Sequence, residues 1–188
     1  MKLENSFEVA APPEKAWDLL MDVPRIVPCM PGAKLDEVVD ENNWKATMHV
    51  KLGPIGLTFA TDVERKEADE ANRRVVLGAN ARETRNRGRA SATIESTLTP
   101  AGSGTRIDIA TDLHLSGTVA QYGRGMIEDI SSQMVTSFAQ CLEAQLGDSA
   151  DEAEQAVAAQ AKPISGLSLF FSSLWRRIRR LFGRRSSQ

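Results

Sequence analysis

Catalysis needs a titratable or metal-binding side chain where a substrate can reach it, so the histidines, cysteines, carboxylates and hydroxyls come first. The two histidines, His49 and His114, fall on the polar faces of alternating segments and read as solvated side chains. Neither has a second histidine or a cysteine at ligand spacing, so no metal site is predicted. Cys29 and Cys141 stand far apart, which predicts no disulfide framework and, by default, a reducing compartment. The apolar faces of the predicted strands hold no carboxylate, histidine or lysine. Their only polar groups are Thr61, Ser96 and Thr111, with Tyr122 on the flank of a helix. Gly123-Arg124-Gly125 is no phosphate loop, because it falls inside that predicted helix and not between a strand and a helix start. No residue is assigned a catalytic role.

The elements that would position these groups follow from hydrophobic period. Leu3, Phe7 and Val9 alternate with Glu4, Ser6 and Glu8, a half-buried strand. Pro12-Pro13 opens a short helix with Ala16, Leu19 and Leu20 on one stripe and Trp17 beside it. Pro24, Pro28 and Pro31-Gly32 leave room for a second, very short helix and a turn. Residues 34–40 and five further alternating runs then predict strands joined by short hairpins, about seven in all, hence an antiparallel sheet. From Gly117 to Leu146 the period changes to that of one long helix, with Gly147 as its stop. The fold class expected is α+β: a curved antiparallel sheet gripping a long C-terminal helix.

The inner face of that sheet is short of bulk. Ala46, Ala79, Ala81, Ala90 and Ala92 are small, and the helix opposite presents flexible Met126 and Met134. Small residues either let a helix pack closely or leave a dry cavity suited to an irregular apolar ligand. On the second reading the ligand-binding candidates on the sheet are Trp44, Met48, Phe59, Leu77, Ala79, Ala92 and Ile109. From the helix come Tyr122, Met126, Ile130, Met134 and Phe138. Six arginines, 73, 74, 82, 85, 87 and 89, surround a predicted hairpin. They read as a solvated rim or as a docking point, for which Arg82, Arg85, Arg87 and Arg89 are the candidates. Nucleic acid is not expected, since the body is acidic and the loop lacks interleaved aromatics.

Charge divides the 188-residue chain. Residues 1–146 hold 16 basic and 21 acidic side chains, whereas residues 164–188 hold six arginines and no acid. Residues 147–163 read as an Ala-, Glu- and Gln-rich linker. On a helical wheel Leu167, Phe170, Phe171, Leu174, Ile178, Leu181 and Phe182 form one apolar face with Trp175 at its border. Arg176, Arg179 and Arg180 lie opposite, with Arg177 flanking. That pattern predicts a helix lying in the plane of an anionic membrane surface. With no apolar run long enough to span a bilayer and no leader expected in Met1–Trp17, the chain is predicted to be cytoplasmic and peripheral on the inner face of the cell membrane.

Four segments in order carry a family resemblance: Pro12-Pro13-Glu14-Lys15-Ala16-Trp17, Cys29-Met30-Pro31-Gly32-Ala33, Gly53-Pro54, and the helix from Val119-Ala120-Gln121-Tyr122-Gly123-Arg124 through Phe138-Ala139-Gln140-Cys141-Leu142. Over residues 1–146 the chain resembles the carbon monoxide dehydrogenase CoxG family, of the START-like, helix-grip (SRPBCC) superfamily. The resemblance implies a non-catalytic accessory protein that connects molybdenum CO dehydrogenase with the membrane, and it carries over no catalytic residues. Joined to the apolar cavity and the tail, it leads to the expectation of a quinone or other isoprenoid lipid as cargo, menaquinone or ubiquinone, with CO dehydrogenase as partner. Two alternatives stay open: a maturation factor without lipid cargo, and an enzyme of the aromatase/cyclase kind. The latter would need a buried acid or histidine facing the pocket.

Overall fold

The computed structural model describes residues 1–147; the linker after Gly147 and the amphipathic tail lie outside the described residues. Strand β1 (Lys2–Val9) leads into helix α1 (Pro13–Met21), the one-turn α2 (Val23–Ile26) and a 3-10 turn at Val27–Cys29. Six strands follow: β2 (Ala33–Val38), β3 (Asn43–Leu52), β4 (Ile55–Asp69), β5 (Arg74–Glu83), β6 (Gly88–Ala101) and β7 (Gly104–Gly117). A 3-10 turn at Thr118–Gln121 precedes helix α3 (Arg124–Leu146). The strands form one antiparallel sheet ordered β1-β7-β6-β5-β4-β3-β2, so the first strand closes beside the last.

Local chemistry accounts for the boundaries. Pro13 occupies the first turn of α1, where its missing N–H costs nothing, and Glu14 complements the positive end of the helix. Gly32 enters β2 with φ +78°, and a Cβ there would meet the His49 carbonyl oxygen at 2.2 Å, so the Pro31-Gly32 turn accepts only glycine.

Helix α3 is shorter than the period predicts. The chain is extended at Tyr122 (φ −71°, ψ 130°) and Gly123 (φ −61°, ψ 148°), and the α-helix begins at Arg124. Gly117, at φ +75°, and Gly123 are poor helix formers, and buried Val119 is drawn into a core cluster with Leu52, Leu57 and Phe59. Apolar spacing therefore persists across a real break. Gly123-Arg124-Gly125 lies at a helix start and not inside a helix, which corrects that expectation.

The cysteine expectation is also overturned. Cys29 and Cys141 form a disulfide across 112 residues, with Cα atoms 5.3 Å apart. The fold brings the 3-10 turn under the last turns of α3, where both cysteines are fully buried. Separation along the chain carried no information about this proximity, and cysteine usage gives no argument here for a reducing compartment.

Core packing is concentrated at the two ends of the sheet. Val9, Ala11, Ala16, Trp17, Val75, Leu98 and Ile107 form one cluster beneath α1. Leu19, Cys29, Phe138, Cys141 and Leu142 join α1 and the 3-10 turn to the C-terminal half of α3. The third cluster sits at the β3–β4 hairpin. Alongside β1, Phe7 meets Phe138 edge-to-face at 6.2 Å. The backbone N–H of Ala10 donates to the Glu143 carboxylate at 3.1 Å, and Asn5 Nδ2 donates to Ser131 Oγ at 3.1 Å.

Candidate functional site

Alternation on β3–β7 aligns the inner side chains in rows across the sheet. Ala46, Thr61, Ala81, Ala90 and Leu115 form one row, and Val63, Ala79, Ala92 and Leu113 the next. Every one of these nine residues is only half-buried, and none except Ala81 and Leu115 borders a core cluster. Helix α3 explains why. All three of its fully buried residues, Phe138, Cys141 and Leu142, lie in its C-terminal half. In the N-terminal half Ile127, Ile130 and Met134 stay half-buried and Met126 is 43% exposed. The grip is tight at one end and open at the other. The alanine rows and the first turns of α3 thus present apolar side chains that remain partly open to solvent.

One polar atom in this lining has no partner. Thr61 Oγ1 is buried from solvent and makes no hydrogen bond. A buried hydroxyl without a partner costs about 1–3 kcal/mol, so a ligand oxygen or N–H that reached it would recover a real loss.

The predicted ligand-binding residues distribute as follows. Ala79, Ala92 and Met134 are half-buried and Met126 is 43% exposed, and none of the four packs against a core cluster. Met48, Phe59, Tyr122 and Ile130 belong to the hairpin cluster. Leu77 and Ile109 pack against the cluster under α1, and Phe138 lies in the cluster around the disulfide. Trp44 is 3% exposed at the far end of the sheet, with the Arg65 guanidinium 5.2 Å from its ring centroid. Arg65 continues the inner parity of β4, yet it is occupied structurally: it donates to the Met21 carbonyl at the end of α1, to the Asn42 side chain at 3.1 Å and to the Glu41 carbonyl. Membrane-binding candidates 167–182 lie outside the described residues.

The expectation that no inner position carries an acid is wrong. Glu83 aligns with Phe59, continues the inner parity of Ala79 and Ala81, and is 1% exposed. It is consumed by the β5–β6 hairpin. Its carboxylate accepts from the Arg87 guanidinium at 2.8 Å and from the backbone N–H groups of Arg85 and Arg87 at 2.7 and 3.1 Å. The Arg87 contact, aided by those N–H groups, outweighs burial and holds the carboxyl at about 2, well below its ordinary 4.5. A carboxylate that stays ionised and fully bonded is neither a proton donor nor a ready base, so Glu83 does not supply the acid that a cyclase would need. Strand parity through Ala79 and Ala81 was the signal that could have placed it inward.

Of the hairpin arginines, Arg87 is turned inward to Glu83 and to the Gly56 carbonyl at 2.8 Å. Arg73 pairs with Glu14, and Arg74 with Glu67 and Glu95. Arg82 and Arg89 stand opposite each other across β5 and β6 on the outer face. Both histidines are exposed; His49 Nδ1 lies 3.1 Å from Thr58 Oγ1, and His114 Nε2 lies 3.4 Å from Asp112. Among the described residues no group of three or more His, Cys, Asp or Glu could hold a metal ion, and no helix is long and apolar enough to cross a membrane.

Residues 6–147 match the carbon monoxide dehydrogenase CoxG family. The chain belongs to that family. No curated protein matches it. Among solved structures it is similar to a conserved protein from Geobacillus kaustophilus, at 20% identity and a TM-score of 0.69, covering 78% of this chain and 95% of that one. It is also similar to Ara h 8.0201, at 16% identity and a TM-score of 0.54, covering 78% and 97%. A third similar structure comes from Rhizobium leguminosarum, at 12% identity and a TM-score of 0.54, covering 78% and 93%. At these identities the likenesses establish the fold alone, and it is the START-like, helix-grip fold. For this CoxG-family chain, membership suggests an accessory role at CO dehydrogenase.

Proposed function

We propose that the chain is a non-catalytic carrier and adaptor that links CO dehydrogenase to the respiratory quinone pool. Its domain would hold a quinone or similar isoprenoid lipid, and its C-terminal segment would hold it at the membrane. The observation that carries this reading is the partly open apolar lining with one unpartnered hydroxyl. A long apolar chain with a sparse polar head fits such a lining better than a charged metabolite does. Electrons from CO oxidation must reach a quinone that does not dissolve in water, and sheathing its chain between the alanine rows and α3 would move it out of the bilayer. Residues 167–182 supply the membrane contact on this reading: the apolar face enters the headgroup region, and each arginine near an anionic leaflet contributes about 1 kcal/mol.

The test is transfer. Full-length protein is incubated with phosphatidylglycerol-containing vesicles loaded with menaquinone, the vesicles are sedimented, and quinone in the supernatant is measured by absorbance. The expected result is protein-dependent release of quinone, approaching one per chain. Vesicle binding without release would reduce the function to recruitment. Neither binding nor release would favour a maturation factor without lipid cargo.

A further inference from the structure

The outer face of the sheet carries a second feature, whose lining also includes the row Ala46, Thr61, Ala81, Ala90 and Leu115. A groove of about 750 Å³ crosses it, bordered by residues from β2 to β7. Its lining includes the short side chains of Ala60, Asn80, Ser91 and Ser116 together with Arg82, Arg89 and His114, with Arg82 and Arg89 lying between Ala60 and Ser116 in one cross-strand row. We propose that this groove docks an extended acidic segment of a partner protein, with Arg82 and Arg89 gripping its carboxylates.

The charges make the case. Arg82 lies directly opposite Arg89 in the β5–β6 register, an arrangement of like charges that costs stability. Among the described residues neither guanidinium has an ion pair or a hydrogen bond, whereas Arg74, Arg87, Arg106 and Arg124 each hold a carboxylate. The acids within the groove do not answer them. Asp36 accepts from Thr47 at 2.7 Å and pairs with Lys34, and Asp62 makes no ion pair with either arginine and stands opposite Lys45, which itself pairs with Glu37 at 2.7 Å. Among the described residues the Arg82–Arg89 pair is therefore left without a carboxylate partner.

Shape selects the kind of partner. A bilayer surface is flat on this length and cannot follow a groove, but an extended peptide can lie along one. Six strands spaced about 4.8 Å apart span about 24 Å, the length of about seven extended residues. The side-chain amide of Asn80 and the hydroxyls of Ser91 and Ser116 offer hydrogen bonds along that track, and each arginine can take a carboxylate in a two-pronged contact. The inference deepens the reading above by naming the docking chemistry, and rests on it only in assigning the segment to CO dehydrogenase.

The experiment uses the full chain, as wild type, Arg82→Ala/Arg89→Ala and Arg85→Ala. Among the described residues the Arg85 side chain also has no carboxylate partner, its backbone N–H alone meeting Glu83, and it lies outside the groove. Binding of a fluorescent heptaglutamate peptide is followed by anisotropy at low and physiological salt, and binding of purified CO dehydrogenase by surface plasmon resonance. The double variant is expected to lose about tenfold or more in affinity for both, and Arg85→Ala about twofold or less, with the wild-type affinity falling as salt rises. An unchanged thermal melt excludes misfolding of the double variant. Equal peptide binding by all three proteins would overturn the proposal, as would an equal loss in Arg85→Ala. Arginine-pair-dependent peptide binding without any dehydrogenase binding, even by wild type, would keep the acidic groove and contradict the assigned partner. Loss of binding to phosphatidylglycerol vesicles with intact peptide binding would overturn the proposal in favour of a lipid surface.

Discussion

Thr61 and Glu83 are both inner-face polar residues, and their environments give them opposite consequences. Thr61 Oγ1 has no partner, so Thr61→Val, nearly isosteric, should stabilise the ligand-free domain by about 1 kcal/mol, read from urea unfolding. The same substitution should weaken binding of menaquinone while leaving a saturated hydrocarbon of similar length unaffected; equal effects on the two would leave Thr61 without a role in recognition. Glu83 has a full set of partners. Because its folded value of about 2 lies below its ordinary 4.5, the stability it contributes is complete above about pH 4.5 and lost as pH falls toward 2. Glu83→Gln should therefore lower the melting temperature at pH 7 and flatten the acid limb of the stability curve, both measurable by calorimetry. The two residues were unequally visible in the sequence. Strict alternation placed Thr61 inward, but Glu83 ends its strand next to a charged turn and reads as part of that turn. No pattern of spacing announces that Arg87 folds back to meet it.

Helix α3 carries the next level of consequence, because its two halves are held so differently. The C-terminal half is tied by Phe138, Leu142 and the Cys29–Cys141 disulfide, while the N-terminal half holds no fully buried residue. Closing a loop of 112 residues should contribute on the order of 2–4 kcal/mol. Cys29→Ala/Cys141→Ala, or reduction of the native chain, should lower the denaturant midpoint accordingly; an unchanged midpoint would show that packing alone fixes this end. The strands and their order were legible because period-2 alternation with short turns admits little besides an antiparallel meander. The start of α3 was not, since Val119 keeps helical spacing while its backbone turns in a 3-10 conformation and its side chain joins the hairpin cluster. The disulfide was not legible either: it is a product of the completed fold, and two cysteines at arbitrary separation carry no geometry of their own.

The whole chain combines an acidic body with a tail of six arginines, and the proposed function gives the two parts separate tasks. Deleting residues 164–188 should abolish sedimentation with phosphatidylglycerol vesicles and leave the melting temperature of the domain within about 2 °C, since the helix-grip fold is complete by Leu146. Family membership and fold were readable from four short segments, and residues 6–147 match the family they point to. Cargo was not readable in the same way, because volume left unfilled depends on how far α3 stands from the sheet and not on which residues line it. The proposed function stands or falls on whether the domain itself carries a quinone or related lipid. Mass spectrometry of an organic extract answers that question, made from the purified full-length chain and from the chain ending at residue 163, each produced in a quinone-containing host. About one quinone or isoprenoid lipid per chain is expected in both. No lipid in either, with vesicle binding by the full-length chain intact, would contradict the carrier role.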